Sequence, residues 1–281
     1  MSVDTPGQSA LLPAGTPCWI ELATTDEAVA CEFYGRLFGW EFSVKRDPAT
    51  PTRRYTIATL GGYQVGGLYQ AARDQPTGWT VHLAVANTTS TADWVEHLGG
   101  TRTLGPVDIP DRGSVLHAID PSGAPVVFWA PPEDWAFTVG IPGSFSGVDL
   151  NTHDGESADA FYCRLFGFAS EQIGEGGIDY TEWRIGPEPV MYRYAMNTQA
   201  ESTIPPHWMI YFTADPARGT DAMAGQSIML GGSVVTPPFD TPFGRTAMLA
   251  DPGGSLFSVI DHSRPVDTGA GRAEVDDPYD D

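Results

Sequence analysis

The stretch FYGRLFGW at Phe33–Trp40 recurs almost unchanged as FYCRLFGF at Phe161–Phe168, 128 residues further along the chain. An aspartate precedes each copy, at Asp26 and Asp154, where a carboxylate can accept hydrogen bonds from the free amides of a first helical turn. The apolar residues of the first copy recur at helical spacing and predict one buried helix face: Ala30, Phe33, Tyr34, Leu37 and Phe38. We therefore predict a core helix that occurs twice, each time ending at the glycine of the motif.

Length and charge limit the classes of protein to which the chain can belong. Its 281 residues are 41% hydrophobic and correspond to about two domains on the usual size range. The formal net charge is −21, from 36 acids against 15 bases. Nucleic acids and anionic membrane surfaces both require basic patches, so we expect neither as a partner.

The sequence carries no recognisable signal for export or membrane insertion. No apolar run approaches 18 residues, and the first 16 residues lack a basic start followed by an apolar stretch. The three cysteines, Cys18, Cys31 and Cys163, form an odd set without metal-ligand spacing. We therefore predict reduced thiols and a cytoplasmic protein.

The repeat divides the chain into two modules. We predict a leader over 1–16, a first module over 17–130, a linker over 131–143, a second module over 144–262 and a disordered acidic tail over 263–281. Short strand and turn signals around each motif helix predict a βαβββ unit followed by a second unit of the same type in each module. The fold class is therefore α+β.

This order of elements resembles the vicinal oxygen chelate superfamily. The resemblance rests on the duplicated F-Y-x-x-x-F-G-aromatic helix and on the D-P-x-G turns at Asp120–Gly123 and Asp251–Gly254 before each last strand. That superfamily includes glyoxalases, extradiol dioxygenases and drug-binding proteins of the bleomycin-resistance type. The resemblance implies two glyoxalase-like modules whose curled, cup-shaped mixed sheets are covered by helices.

Metal-dependent relatives hold a divalent ion in the cup with ligands from three strands, and the resemblance locates those three positions here. They are Trp19, Thr80 and Val127 in the first module and Gly147, Trp208 and Ser258 in the second. None is the His, Gln or Glu of the relatives, so we predict that the protein uses no metal and no other cofactor. An off-pattern metal site built from Glu21, His82, Asp149 and His207 stays an alternative.

Strand alternation predicts which side chains face into the cups. We expect Trp19 with Glu21, Thr80 with His82, and Val127 with Trp129 to point inward in the first module. The expected set in the second module is Gly147 with Asp149, Trp208 with Ile210, and Ser258 with Ile260. His117 could face either way.

These positions define a predicted site. Its acid–base residues are Glu21, His82 and Asp149. Its ligand-binding residues are Trp19, Thr80, Trp129, Trp208 and Ser258, because indole rings suit a flat aromatic guest. The polar content of the first cup favours it over the second.

Two functions of different kinds fit this site. One is a metal-free protein that binds an aromatic or polycyclic small molecule related to antibiotics or other secondary metabolites. The other is a cofactor-free enzyme of lyase, isomerase, cyclase or hydroxylase type that tailors such a molecule by acid–base catalysis. A metal-dependent lyase or dioxygenase is a third alternative. Because the chain carries both modules, we expect a monomer or a weak dimer.

Overall fold

The computed structural model describes residues 12–47, 50–199 and 201–265. The first module consists of two consecutive βαβββ units. The first unit contains β1 (Pro17–Thr24), α1 (Glu27–Phe38), β2 (Glu41–Arg46), β3 (Arg54–Leu60) and β4 (Tyr63–Gln70). The second contains β5 (Gly78–Ala84), α2 (Thr88–His97), β6 (Thr101–Ile109), β7 (Gly113–Ile119) and β8 (Pro125–Ala130).

The second module repeats this order. Its first unit contains β9 (Phe145–Thr152), α3 (Gly155–Phe166), β10 (Ala169–Gln172), β11 (Tyr180–Ile185) and β12 (Glu188–Ala195). Its second unit contains β13 (His207–Thr213), α4 (Gly219–Met229), β14 (Ser233–Thr241), β15 (Gly244–Ala250) and β16 (Leu256–Asp261). The predicted α+β fold of two modules, each built from two βαβββ units, is confirmed.

The motif helices form for the reasons that their sequences indicate. Asp26 accepts hydrogen bonds from the amides of Ala28 and Val29, and Gly39 ends α1 in the left-handed conformation at φ +81°. The five apolar residues predicted to form the buried face of α1 are all buried. Asp154 caps α3 in the same way, and Gly167 ends it at φ +74°. The helix prediction is confirmed at both copies.

Within the described residues, each module forms one eight-stranded mixed sheet. The strand orders are β2-β3-β4-β1-β5-β8-β7-β6 and β10-β11-β12-β9-β13-β16-β15-β14. The two units of a module therefore meet where β1 pairs antiparallel with β5, and β9 with β13. Parallel pairs flank each junction, β1 with β4 and β5 with β8 in the first sheet. This arrangement brings one residue from each of several strands to the middle of the same face.

The strands that the sequence did not reveal are the edges of the sheets. These are β2, β6, β10 and β14, whose residues are largely exposed or half-buried. A strand with no buried face lacks the alternation of apolar and polar residues by which strands are recognised. Pro237 and Pro238 in β14 weaken the strand signal further and are tolerated because an edge strand has one unpaired side.

Reciprocal hydrogen bonds join the two modules. Tyr34 on α1 donates a bond of 3.1 Å to Asp251 Oδ2 of the second module. Tyr162 on α3 donates a bond of 2.9 Å to Asp120 Oδ2 of the first. The tyrosines occupy the same position of the repeated helix, and the aspartates the same position of the repeated turn. The helices thus pack in one apolar core shared by both sheets.

Several predictions concern segments at the two ends of the chain. Positions 1–11 of the predicted leader and 266–281 of the predicted acidic tail lie outside the described residues.

All three cysteines are free thiols. No helix within the described ranges is both long enough and apolar enough to cross a membrane.

Candidate functional site in the cup of the first module

The face of the first sheet turned away from α1 and α2 carries a cavity, and we call this face cup 1. The cavity has a volume of about 330 Å³. Its wall includes Glu21 from β1, Tyr69 from β4, His82 from β5, His117 from β7 and Trp129 from β8. Neighbouring strands of the sheet thus contribute side chains to one space, because the curl of the sheet brings their alternate residues together.

Two ionisable side chains lie at the centre of cup 1. Glu21 Oε1 is 3.7 Å from His82 Nε2, with 12% and 6% of the respective side chains exposed. This distance suits an ion pair but exceeds a hydrogen bond. Burial by itself would raise the pKa of Glu21, but interactions with His82, His117 and Tyr55 outweigh burial and lower the pKa below the usual value. The carboxylate is therefore held in its charged form.

The ring of His82 is buried without being satisfied. Only 5% of the residue is exposed, and its ring lies edge-on to Trp129 at 5.7 Å. Within the described part of the chain, neither Nδ1 nor Nε2 has a hydrogen-bond partner. Most buried polar groups in proteins are paired, so an unpaired imidazole beside a cavity indicates a group that meets a guest or solvent.

His117 supplies a second imidazole to the wall. Burial lowers its pKa, and the nearby His82 lowers it further, although the negative charge of Glu21 acts in the opposite direction. His117 is therefore neutral near pH 7 and can both donate and accept a hydrogen bond. Cup 1 thus presents one carboxylate and two imidazoles to the same space.

A second layer of polar contacts fixes this wall. Trp19 Nε1 donates a 2.6 Å hydrogen bond to the Tyr55 hydroxyl. The Arg112 guanidinium lies 4.3 Å from the centre of the Tyr55 ring and donates a 3.0 Å bond to Asp47 Oδ2. Arg112 and Asp47 both line the cavity, so an ion pair forms part of its rim.

The aromatic wall is deeper than the sequence indicated. Trp129 donates a 2.7 Å hydrogen bond to the Arg112 carbonyl and lies 4.5 Å from the ring of Trp135. Trp135 belongs to the predicted linker over 131–143 and also packs on Trp19, at 4.8 Å. Trp19 itself is fully buried and does not line the cavity. Trp19 therefore supports the wall through Tyr55 and Trp129 and is not at its surface.

Thr80 is the other predicted binding residue of the first module. It lies on the cup face, opposite Glu21 in the antiparallel pair of β1 and β5, but it does not line the cavity. Of the predicted residues, the structure thus brings Glu21, His82 and Trp129 together around one space.

The equivalent face of the second sheet, cup 2, is arranged differently. Asp149 Oδ2 accepts hydrogen bonds from Tyr211, at 2.8 Å, and from Tyr180, at 3.1 Å. Tyr180 stacks on Tyr192 at 5.6 Å, and the edge of Phe243 contacts both rings. Burial raises the pKa of Asp149 to about 6, although the two tyrosine hydroxyls lower it. Side chains of the protein itself thus occupy the place that the cavity takes in cup 1.

Ser258 and Trp208 are both predicted to bind a ligand in cup 2, but they lie on opposite faces of the sheet. Ser258 is buried on the cup face, where it pairs with Tyr211. Trp208 pairs with Leu150 and lies in the helix-covered core, with its ring 5.7 Å from that of Tyr162. The predicted inward orientation of Trp208 and Ile210 is therefore wrong. The sequence distance between equivalent residues of the two modules is one residue longer at β13 than at β9. A shift of one residue along a strand turns each side chain to the other face of the sheet.

The pairing of the strands also corrects the position of the second metal ligand. His82 pairs with both Trp19 and Val127, and Tyr211 pairs with both Gly147 and Ser258. The three ligands of one metal ion must converge, so the second ligand position is the residue paired with both the first and the third. That residue is His82 in cup 1 and Tyr211 in cup 2, and the predicted second positions, Thr80 and Trp208, are wrong.

These residues do not fit the metal of the metal-dependent relatives. Of the three ligand positions in cup 1, which are Trp19, His82 and Val127, one offers a donor, because an indole and a Val side chain have no lone pair to give. In cup 2 the Tyr211 hydroxyl is already engaged by Asp149. Across residues 12–47, 50–199 and 201–265, no three His, Cys, Asp or Glu side chains are grouped so as to hold a metal ion.

Several cavity residues were not found from the sequence. Tyr69, Gln75 and Arg112 line the cavity, and Trp135 supports it. Strand alternation could have found Tyr69, which shares a face of β4 with Gly67 and so lies beside Glu21. Arg112 follows Asp111 in a turn at positive φ, and no local pattern indicates where its side chain reaches.

Comparisons with known proteins agree with the fold. No family model matches the chain. "Anthracycline biosynthesis protein DauV" of Streptomyces sp. (strain C5) is 33% identical over 263 residues, covering 88% of this chain and 93% of that protein. "Putative glyoxylase CFP32" of Mycobacterium bovis is 32% identical over 253 residues, covering 88% and 94%. The structure of a Mn(II)-bound glyoxalase from Novosphingobium aromaticivorans matches with a TM-score of 0.64 at 15% identity, covering 91% of this chain and 84% of that chain.

Proposed function

The chain belongs to the vicinal oxygen chelate superfamily, and from that premise we propose that cup 1 binds a planar aromatic or polycyclic small molecule of secondary metabolism. The observation that carries this proposal is the difference between the cups. Cup 1 has a cavity of about 330 Å³, near the lower end of the range for small-molecule sites, whereas tyrosines occupy the same place in cup 2.

The lining of cup 1 supports an aromatic guest. Trp129 and Tyr69 give flat apolar surfaces, and Leu104 and Ile109 extend the apolar wall towards the rim. Polar groups at a few points can orient the guest, as in most small-molecule sites. The name of the Streptomyces relative supports the same class of molecule, because an anthracycline carries a planar fused-ring system.

We also propose that this function needs no metal. The support is the chemistry of the side chains at the three converging positions of cup 1, Trp19, His82 and Val127, which offer a single donor.

Binding of 1,8-dihydroxyanthraquinone, measured by calorimetry, tests the proposal with a matched pair of variants. Leu104 at the rim of cup 1 is 47% exposed, and Val235 on the corresponding edge strand of the second sheet is 49% exposed. Leu104→Asp places a charge where an apolar guest enters and is expected to weaken binding about tenfold or more, equivalent to about 1.4 kcal/mol. Val235→Asp adds the same charge to the second module and is expected to leave the affinity unchanged.

Because both side chains are exposed, neither substitution should affect folding, and the melting temperatures of the two variants serve as the check. Equal affinities of the two variants for the anthraquinone would contradict binding in cup 1. A loss of affinity confined to Val235→Asp would move the site to the second module.

A further inference from the structure

His82 occupies a position suited to chemistry on a guest. It lies on the central strand β5, between Trp19 of β1 and Val127 of β8, and lines the cavity. Its two ring nitrogens lack hydrogen-bond partners within the described residues, although the residue is only 5% exposed. A side chain that served only to fill the core would leave an uncompensated polar group there, which destabilises a fold.

Glu21 is placed to support a charge on this ring. Its carboxylate is held ionised, and its Oε1 is 3.7 Å from His82 Nε2. At this distance the carboxylate can stabilise an imidazolium without engaging the nitrogen in a short hydrogen bond. The nitrogen stays available to a guest, and an apo site often shows such long contacts.

Among the charged and titratable groups around His82, none is better placed to accept a proton from a guest. They are Glu21 on β1, Tyr55 on β3, Tyr69 on β4, Arg112 in the turn before β7, and His117 on β7. Burial raises the pKa values of Tyr55 and Tyr69 well above the usual range, so both keep their protons. Arg112 is paired with Asp47, and His117 is neutral and suited to hydrogen bonding.

We propose that His82 is a catalytic general base that enolises an aromatic polycyclic ketone bound in cup 1, with Glu21 as its positioning residue. This inference rests on the proposed binding function and adds a reaction to it. An imidazole can remove only an acidified proton, and a C–H conjugated with a ring carbonyl, either next to it or through a fused aromatic ring, is of that kind.

The reaction requires no other reactant. The C–H bond breaks, its proton forms an N–H bond on His82, and its electron pair becomes the enolate. The imidazolium beside Glu21 then returns the proton to the oxygen or to a different carbon of the guest. The net change is an isomerisation without oxidation or reduction.

Deuterium exchange into anthrone, a tricyclic aromatic ketone with acidic C–H bonds, tests the proposal. Exchange is followed by proton NMR under nitrogen in deuterated buffer, and the dissociation constant of anthrone is measured alongside. His82→Gln keeps a polar side chain but removes the base, and is expected to slow exchange by about 10²–10⁴-fold with anthrone binding largely retained. His262→Gln, the same change at an exposed histidine of the second module, should leave exchange unaltered.

Glu21→Gln separates a positioning role from a merely structural one. Without the carboxylate an imidazolium is less stabilised, so the pH profile of exchange should move to lower pH. This measurement also tests the proposal if His82→Gln does not fold.

Each result has a definite meaning. Exchange that is equally fast in His82→Gln, or a pH profile that Glu21→Gln does not move, would overturn the catalytic role. Anthrone that binds to cup 1 without exchange above the buffer rate would also overturn it, while the proposed binding function would stand. Absence of binding by both anthrone and the anthraquinone would overturn the binding function and the inference with it.

Discussion

Cup 1 and cup 2 are built on the same scaffold but use a buried carboxylate in opposite ways. Glu21 and Asp149 occupy equivalent positions on β1 and β9. Beside Glu21 stands His82, which can carry a positive charge, whereas Tyr211 takes that place beside Asp149 and donates a hydrogen bond to it. The pKa of Glu21 is accordingly lowered, and that of Asp149 is raised to about 6.

The same comparison explains why only one cup carries the proposed site. The equivalents of His117, Val127 and Trp129 are Met248, Ser258 and Ile260, judged from the pairing of the last strands. Cup 2 thus has neither imidazole and lacks the indole that Trp129 gives to the cavity wall, and tyrosines occupy its centre. A duplicated scaffold can keep its core while its two concave faces diverge, because the core and the cup lie on opposite faces of each sheet.

Trp208→Ala is the variant with the largest expected effect on stability. Trp208 is only 2% exposed within the helix-covered core, so its truncation should lower the free energy of unfolding by about 3–5 kcal/mol. Because Trp208 faces away from both cups, the affinity for 1,8-dihydroxyanthraquinone should not change. Urea unfolding and calorimetry measure the two quantities, and Trp208→Phe is the milder variant if the first is too unstable. A loss of affinity with stability preserved would contradict the position of the Trp208 ring in the core and would indicate that it lies in a cup.

The two carboxylates should give stability profiles of opposite sign with pH. The folded pKa of Asp149, about 6, lies above its unfolded value. The stability that protonated Asp149 contributes to the fold is therefore fully present below about pH 4 and is lost as pH rises to 6. The loss corresponds to about 3 kcal/mol. Asp149→Asn should therefore gain stability relative to the natural protein between pH 4 and pH 7.

Glu21→Gln should show the reverse trend. The folded pKa of Glu21 is lowered, so its contribution is present above the unfolded pKa and lost as pH falls through the folded one. The substitution should cost more at pH 7 than at low pH. Denaturant unfolding at a series of pH values measures both variants, and trends of the same sign would contradict the contrast between the cups.

The hydrogen bonds between the modules occupy the same place in each repeat, but the network around Tyr34 is the larger one. Tyr34→Phe and Tyr162→Phe each remove a donor from a buried carboxylate, at a cost of about 1–3 kcal/mol. The loss should be larger for Tyr34→Phe, because the Tyr34 hydroxyl also accepts a 3.0 Å hydrogen bond from Trp79 Nε1, which the substitution leaves unpaired. Tyr63→Phe is the control, since Tyr63 is 66% exposed. Equal losses, measured by urea unfolding, would show that the Trp79 hydrogen bond contributes nothing to stability.

Much of the fold could be predicted from short stretches of sequence because the forces involved are local. Asp26, Gly39 and the apolar spacing between them specify a helix through its caps and its buried face. Their repetition at Asp154 and Gly167 then indicates two modules. The edge strands β6 and β14 could not be found in this way, because exposed strands have no buried face to impose a pattern.

The sequence by itself determined the duplicated core helices, the two-module α+β fold and the inward positions of Glu21, His82 and Trp129. Only the tertiary structure decided which cup holds the cavity. One additional residue between β9 and β13 of the second module turned Trp208 to the opposite face of its sheet. Arg112 and Trp135 reach cup 1 from a turn and from the segment between the modules. The physical reason is that caps and alternation act over a few residues, whereas register and cavity shape depend on contacts between residues far apart in the chain.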